Sequence, residues 1–136
     1  MDQHPVFVYG TLRPGQGNYR LLAGRTRREV PAVAPGLALF GLGLPYAVPL
    51  PGARAVGVLV TIASHLYRDV LADLDRLEGY RAERRDRSHY VRRVRGVRTR
   101  DGVSHTAWVY LAGPGVDPAG MSRISGDDWL LASSAR

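Results

Sequence analysis

The sequence predicts an α+β fold, a single domain over residues 1–136 in which helices pack against a mixed sheet or a small barrel. Three observations support this prediction. A length of 136 residues suits one domain. Segments with strand-like patterns outnumber helical ones, in the order β-α-β-β-α-β-β. No long linker, repeat or low-complexity stretch divides the chain.

The first half of the chain is predicted to be mostly extended. Residues 5–10 form the first strand, and a short helix capped by Asn18 and ended by Gly24 follows it. An extended run then covers 28–41. Residues 41–52 contain so many glycines and prolines that we expect an irregular loop there.

The middle of the chain predicts a strand and then the clearest helix. Residues 54–63 are rich in valine and read as a mostly buried strand. Residues 64–80 have the period of an amphipathic helix. Its core stripe is predicted to consist of Leu66, Tyr67, Val70, Leu71, Leu74 and Leu77.

The last third predicts a hairpin and a short docked tail. Residues 89–113 alternate around Asp101-Gly102, which is a strong signal for a tight turn. The segment that follows is expected to be a short turn or helix held to the domain by Trp129 and Leu130.

Composition excludes some chemistries and leaves others open. The chain has no cysteine, so disulfides, thiolate metal sites and a cysteine nucleophile are excluded. The net charge is +7, and all 19 basic residues are arginine. They concentrate between residues 81 and 100, where a patch could meet nucleic acid or an acidic partner. Because aromatic residues are scarce there beyond Tyr90, a solvated strand face is favoured and nucleic-acid binding is not expected.

Other motif classes are not supported. The four histidines lack metal-ligand spacing, and no G-x-S-x-G elbow is present. No signal-peptide pattern and no apolar run of about 18 residues occurs, so we expect an intracellular, cytoplasmic protein with no role in a membrane.

Glu78 is the first candidate for chemistry. It follows Leu74 by four positions and Leu71 by seven, so it points with the leucines toward the interior. Desolvation and the negative end of the helix dipole would both raise its pKa, which suits a general base. Alternatively, the last turn frays and Glu78 pairs with Arg81 or Arg84. The pattern alone leaves both interpretations open.

The loop after the first strand is the second candidate. The spacing of Gly10 and Gly15 is that of half a phosphate-binding loop, but the lysine of such a loop is missing, which excludes a nucleoside triphosphate site. Pro14 and Gly15 fit a type II turn. Residues 9–12 are either part of a plain turn or a nest of N–H groups for a carboxylate or oxyanion.

Three stretches together resemble a known family. They are FVYGTLRPGQGN near the N-terminus, LDRLEGY at the end of the main helix and AWVYLAG in the last long strand, with SGDDW as weaker support. YGTL and LEGY lie about seventy residues apart and are most specific as a pair. Over nearly its whole length the chain resembles the γ-glutamylcyclotransferase-like family, of the type that includes γ-glutamylamine cyclotransferases and the butirosin-biosynthesis cyclotransferase.

The resemblance implies a small mixed β-barrel with flanking helices and no metal or cofactor. It implies that Glu78 is the acid/base residue and that the substrate loop consists of Tyr9, Gly10, Thr11 and Leu12. Further pocket-lining aromatics would be Tyr46, Tyr90 and Tyr110. Tyr19 stands where many relatives carry a histidine, so the mouth of the site is expected to differ.

The implied activity is cleavage of a small γ-glutamyl amine or peptide. The α-amine of the substrate attacks its own γ-carbonyl, and 5-oxoproline and a free amine are released. The alternative is a non-catalytic domain that retains the pocket, either for binding a small ligand or as an Arg-rich interaction module. The sequence specifies neither the amine nor the oligomeric state.

Overall fold

The structure, a computed structural model, describes residues 3–41, 43–80 and 89–134. Within them the chain forms a closed five-stranded barrel with two flanking helices. The strands are β1 (Val6–Val8), β2 (Thr26–Phe40), β3 (Tyr46–Ile62), β4 (Tyr90–Thr99) and β5 (Ser104–Ala112). The helices are α1 (Tyr67–Leu77) and α2 (Trp129–Ser134). The predicted α+β class and the small barrel are confirmed.

The barrel is a mixed sheet. Its strand order is β1-β3-β2-β4-β5, and β5 returns to β1 through a parallel pairing of Val6 with Trp108. A second parallel pairing joins Ala47 at the start of β3 to Leu111 near the end of β5. The remaining ladders are antiparallel. β1 therefore lies between β3 and β5, and these two strands pair directly with each other beyond its end.

The side chains of β1 alternate between two hydrophobic clusters, as the pleat of a strand requires. Phe7 and Tyr9 belong to the interior cluster of the barrel. Val6 and Val8 belong to a second cluster, which packs α1 against the outside of the barrel. The helix contributes its buried residues to that cluster, namely Tyr67, Val70 and Leu74.

The main helix is shorter than predicted. A single 3₁₀ turn covers Ser64–Leu66, and α1 ends at Leu77 instead of continuing to residue 80. The prediction that Leu77 belongs to the core stripe is wrong, because its side chain is 37% exposed. It is the last helical residue and lies at the cavity described below.

The predicted loop over residues 41–52 is largely wrong. β3 begins at Tyr46, and its first residues pair with the end of β2, as in Leu39 with Ala47. A register shift between Pro35 and Leu37 bends the ladder. Pro49 is compatible with a strand here because it is exposed at the strand edge, where the N–H group that proline lacks is not needed for a ladder hydrogen bond. Long-range pairing therefore outweighs the local breaker signal.

The hairpin and the tail agree with the sequence. β4 and β5 pair antiparallel around a turn in which Gly102 has a φ of +84°. Trp129 at the start of α2 is buried in the interior cluster. Just before it, the carboxylate of Asp127 accepts the backbone N–H of Leu39 at 3.0 Å and pairs with Arg123 at 2.9 Å. This contact anchors the C-terminal segment to the end of β2.

Candidate active site

A cavity of about 130 Å³ lies where β1 ends. Its walls come from the loop after β1, the C-terminal end of α1, and β4 and β5. It is lined by seven of the eight residues predicted from the sequence: Tyr9, Gly10, Thr11, Leu12, Glu78, Tyr90 and Tyr110. The eighth, Tyr46, is buried and contacts the lining through Tyr90, on which its ring stacks with centroids 4.6 Å apart.

A wider depression of about 530 Å³ lies between β2, β3 and the β4–β5 turn. Its charged lining residues are all arginines, namely Arg13, Arg54, Arg98 and Arg100. Arginine stays protonated in proteins, so this depression offers no general base. Although it is larger, it is the weaker candidate for chemistry.

Gly10 is the point at which the first loop meets the segment before β3. A Cβ atom at this position would lie only 2.6 Å from Cγ of Pro45, so no other residue fits without displacing one of the two chains. The carbonyl oxygen of Pro45 accepts the hydroxyl of Tyr90 at 2.9 Å. The glycine therefore lets the loop pack against a segment that is itself bonded to β4.

Asn18 holds the loop in shape, a role that the sequence analysis missed. Asn18 occupies the predicted N-cap position of the 3₁₀ turn Tyr19–Leu21, but its side chain makes no capping bond there. Its Nδ2 instead donates to Oγ1 of Thr11 at 2.9 Å, and its backbone N–H donates to the Thr11 carbonyl at 3.0 Å. The signal that could have identified it is its place in the quoted stretch, directly after the Gly-rich loop.

The loop presents backbone donors at the cavity. Among the described residues, no backbone carbonyl accepts a hydrogen bond from the N–H groups of Gly10, Thr11 and Leu12. Further along, the N–H of Gln16 donates to Arg13 at 3.0 Å across a turn in which Gly15 has a φ of +87°, as the type II prediction requires. Residues 10–13 also form a turn, because the N–H of Arg13 donates to the Gly10 carbonyl at 3.0 Å, and within the described part of the chain this turn leaves the N–H groups of Thr11 and Leu12 without a backbone acceptor.

Glu78 is fixed by the way in which α1 ends. Gly79 has a φ of +68°, and the N–H of Tyr80 donates to the Asp75 carbonyl at 2.9 Å while that of Gly79 donates to Arg76 at 3.2 Å. These two bonds form a Schellman motif, in which Glu78 is the C-cap residue. The last turn is therefore ordered through Glu78. The alternative partners Arg81 and Arg84 lie outside the described residues.

Among the described residues, the tyrosine hydroxyls that share the cavity with Glu78 donate to groups other than its carboxylate. Burial raises the pKa of Glu78 from its usual 4.5 to about 7. Three tyrosines share the cavity with it, but each hydroxyl donates elsewhere: Tyr9 to the Tyr110 carbonyl at 2.6 Å, Tyr90 to the Pro45 carbonyl at 2.9 Å and Tyr110 to Asp75 at 2.6 Å. Burial raises the pKa of these three tyrosine hydroxyls, and the nearby Glu78 raises it further.

Tyr19 does not line the cavity, contrary to the expectation that it alters the mouth of the site. Its hydroxyl donates to Glu29 at 2.7 Å, which turns the ring toward β2.

Among the described residues, no cluster of three or more potential metal ligands occurs, and no helix has the length and apolarity needed to cross a membrane.

The sequence model of one protein family matches residues 6–131, nearly the whole chain. That family is described as gamma-glutamyl cyclotransferase, AIG2-like. The chain belongs to this family. The match includes both segments that form the cavity. No curated protein matches the sequence.

Solved structures show the same fold. YkqA from Bacillus subtilis superposes with a TM-score of 0.69 at 22% identity over 98% of this chain, which spans only 43% of YkqA. The solution structure of At5g39720.1 from Arabidopsis thaliana gives a TM-score of 0.67 at 25% identity, covering 97% of this chain and 83% of that one. A structure described as a gamma-glutamyl cyclotransferase gives a TM-score of 0.54 at 16% identity, covering 88% of this chain and 69% of that chain.

Proposed function

We propose that this protein is a γ-glutamylcyclotransferase-type enzyme, which cleaves a γ-glutamyl amine or peptide into 5-oxoproline and the free amine. The observation that carries the proposal is that Glu78 and residues 10–12 line one small cavity, and that among the described residues no backbone carbonyl accepts from the N–H groups of residues 10–12. Family membership supports the same reaction class.

The reaction needs a base before it needs an acid. The α-amine of the substrate is protonated at neutral pH and cannot attack in that form. Glu78 takes this proton, and the amine nitrogen then bonds to the γ-carbonyl carbon and closes a five-membered ring. When the amide bond to the leaving amine breaks, Glu78 returns its proton to the departing nitrogen, and the ring nitrogen loses its second proton to solvent or to the released amine. A carboxyl group with a pKa of about 7 suits both steps near neutral pH.

The loop provides the electrostatic part. As the α-amine attacks, negative charge develops on the γ-carbonyl oxygen, and fixed N–H donors stabilise such a charge. The N–H groups of Gly10, Thr11 and Leu12 are suited to this oxygen or to the α-carboxylate of the substrate. Asn18 holds Thr11, and Pro45 packs on Gly10, so these donors are placed before the substrate binds.

The test is turnover of a panel of γ-glutamyl amines and γ-glutamyl dipeptides, with 5-oxoproline measured by mass spectrometry. We expect the wild type to release 5-oxoproline and Glu78→Gln to be slower by about 10²–10⁴-fold, the usual contribution of a general acid–base residue. The matched control is Glu29→Gln, the same chemical change at a glutamate that bonds Tyr19 and Thr26 outside the cavity. A folded Glu78→Gln variant with wild-type turnover would contradict the assignment.

A further inference from the structure

We propose that Asp75 is a positioning residue, which holds the hydroxyl of Tyr110 away from Glu78 and so keeps this hydroxyl from donating to the Glu78 carboxylate. The proposal rests on the proposed function, in which Glu78 is the base. It extends that function to a residue outside the cavity lining, one turn earlier on α1.

The geometry connects the two carboxylates through one tyrosine. Asp75 and Glu78 are three positions apart at the end of α1, which places their side chains as neighbours on the helix surface. Tyr110 reaches this surface from β5, and its hydroxyl donates to Oδ1 of Asp75 at 2.6 Å. The same tyrosine lines the cavity together with Glu78.

Asp75 is itself held in place. Arg92 on β4 donates from Nε to Oδ1 at 2.8 Å and from a terminal nitrogen to Oδ2 at 3.2 Å. The Arg92 guanidinium lies over the ring of Trp108, 4.2 Å from its centroid. This two-point ion pair fixes the direction of the Asp75 carboxylate, which accepts the hydrogen bond from the Tyr110 hydroxyl.

Groups from each neighbouring element face Glu78. Among the described residues these are Tyr9 from the end of β1, Tyr90 from β4 and Tyr110 from β5, with the Asp75–Arg92 ion pair beside them. Tyr9 and Tyr90 donate to backbone carbonyls, which no substitution removes. Of the three hydroxyls, that of Tyr110 donates to a carboxylate. Asp75 is therefore the carboxylate acceptor in this set whose removal frees a hydroxyl near Glu78.

The consequence is a change in basicity. Without Asp75, the Tyr110 hydroxyl is free to donate to the Glu78 carboxylate, and a hydrogen bond to the charged form lowers a carboxyl pKa. The unpaired Arg92 would lower it as well, so the two causes must be separated. Tyr110→Phe does this, because it removes the hydroxyl and leaves Arg92 in place.

The experiment follows the ionisation of Glu78 directly, by NMR of its side-chain carboxyl carbon, in the wild type, Asp75→Ala, Tyr110→Phe and Asp75→Ala/Tyr110→Phe. We expect the Glu78 pKa to fall by about one unit in Asp75→Ala, in the range typical of an added hydrogen bond or a nearby charge. In the double variant most of that fall should be reversed. Asp75→Leu, which keeps the branched shape without an acceptor, replaces Asp75→Ala if that variant does not fold.

Two results would overturn the proposal: no change of the Glu78 pKa in Asp75→Ala, or an equal fall in Asp75→Ala and the double variant, which would assign the effect to Arg92. The pH profile of kcat/KM gives a second readout, in which the acid limb should move to lower pH with the NMR value. If the protein releases no 5-oxoproline, the proposed function fails while the NMR titration still decides the role of Asp75.

Discussion

Burial partly removes water from the Glu78 carboxyl group. This disfavours its charged form and so lowers the stability of the folded state when Glu78 is ionised. Because its pKa is raised from 4.5 to about 7, the folded state binds the Glu78 proton more tightly than the unfolded chain does. The free energy of unfolding therefore falls as pH rises from about 4.5 to 7, through this residue alone, and the loss is complete above that window. An ionisation made unfavourable in this way is typical of functional sites.

Replacing Glu78 by Gln should stabilise the protein in a pH-dependent way. Near pH 4.5 residue 78 is neutral in the folded state of both the wild type and the Gln variant, so their free energies of unfolding should be similar. At pH 8 the Gln variant should be more stable by on the order of 2–3 kcal/mol. Urea denaturation at pH 4.5, 6 and 8 measures this. Glu29→Gln is the control, and a difference between Glu78→Gln and wild type that stays constant with pH would disprove the explanation.

The end of α1 is the element that places the acid. A helix that ends in a Schellman motif has a fixed last turn, so the orientation of its C-cap residue depends on the glycine that follows. Gly79 adopts φ +68°, and among the described residues no heavy atom beyond its chain neighbours lies within 4 Å of a Cβ atom placed at this position. The positive φ itself therefore accounts for glycine here.

Gly79→Ala should destabilise the fold by about 1–2 kcal/mol, the usual cost of a left-handed residue with a Cβ atom. It should also lower kcat, because strain at this position is relieved by moving Glu78. Gly102→Ala is the matched control: its φ is +84°, also with open space around it, but it lies in the β4–β5 turn and not at the cavity. Equal losses of kcat in both variants would contradict the role given to the helix end.

The whole barrel depends on its C-terminal segment as well as on its strands. Ile124 and Trp129 are buried in the interior cluster, and Asp127 bonds the end of β2 from a left-handed conformation with φ +51°. The N–H of Ile124 donates in turn to the Leu39 carbonyl at 2.8 Å. The C-terminal segment is therefore part of the hydrophobic core and does not merely pack on its surface.

Asp127→Ala should lower the free energy of unfolding by about 2–3 kcal/mol, because it leaves the buried N–H of Leu39 without its charged acceptor. KM should not change in the folded fraction, since Asp127 does not line the cavity. Asp117→Ala removes a carboxylate that accepts the exposed Ala119 N–H, and it should cost less than about 1 kcal/mol. Chemical denaturation of both variants gives the comparison, and similar losses would refute it.

Sequence reasoning succeeded where the signal is local. The Asp101-Gly102 pair predicts the hairpin turn from neighbouring residues alone. The period of α1 leaves open whether Glu78 points inward or pairs with an arginine outside. Sequence reasoning failed where distant contacts decide. Residues 46–52 became strand through pairing with β2, and Asn18 bonds Thr11 instead of the next turn.

The acceptors of the tyrosine hydroxyls also depend on distant contacts. The Tyr9 hydroxyl meets a carbonyl 101 positions away, and that of Tyr110 meets a carboxylate 35 positions away. No periodicity in the sequence encodes such pairs. The identity of the cavity residues could be proposed from the resemblance that the sequence shows, but the acceptors of their hydroxyl groups could not.

β1 has only three residues, yet it pairs with both β3 and β5, and the Pro5 carbonyl accepts the N–H of Trp108 at 2.9 Å. A nascent chain emerging from the ribosome therefore cannot complete this pocket until the segment through Ala112 has also been synthesised. Long-range closure of this kind is slow and leaves sheet edges open in the meantime. The complete pocket should consequently form late in biosynthesis.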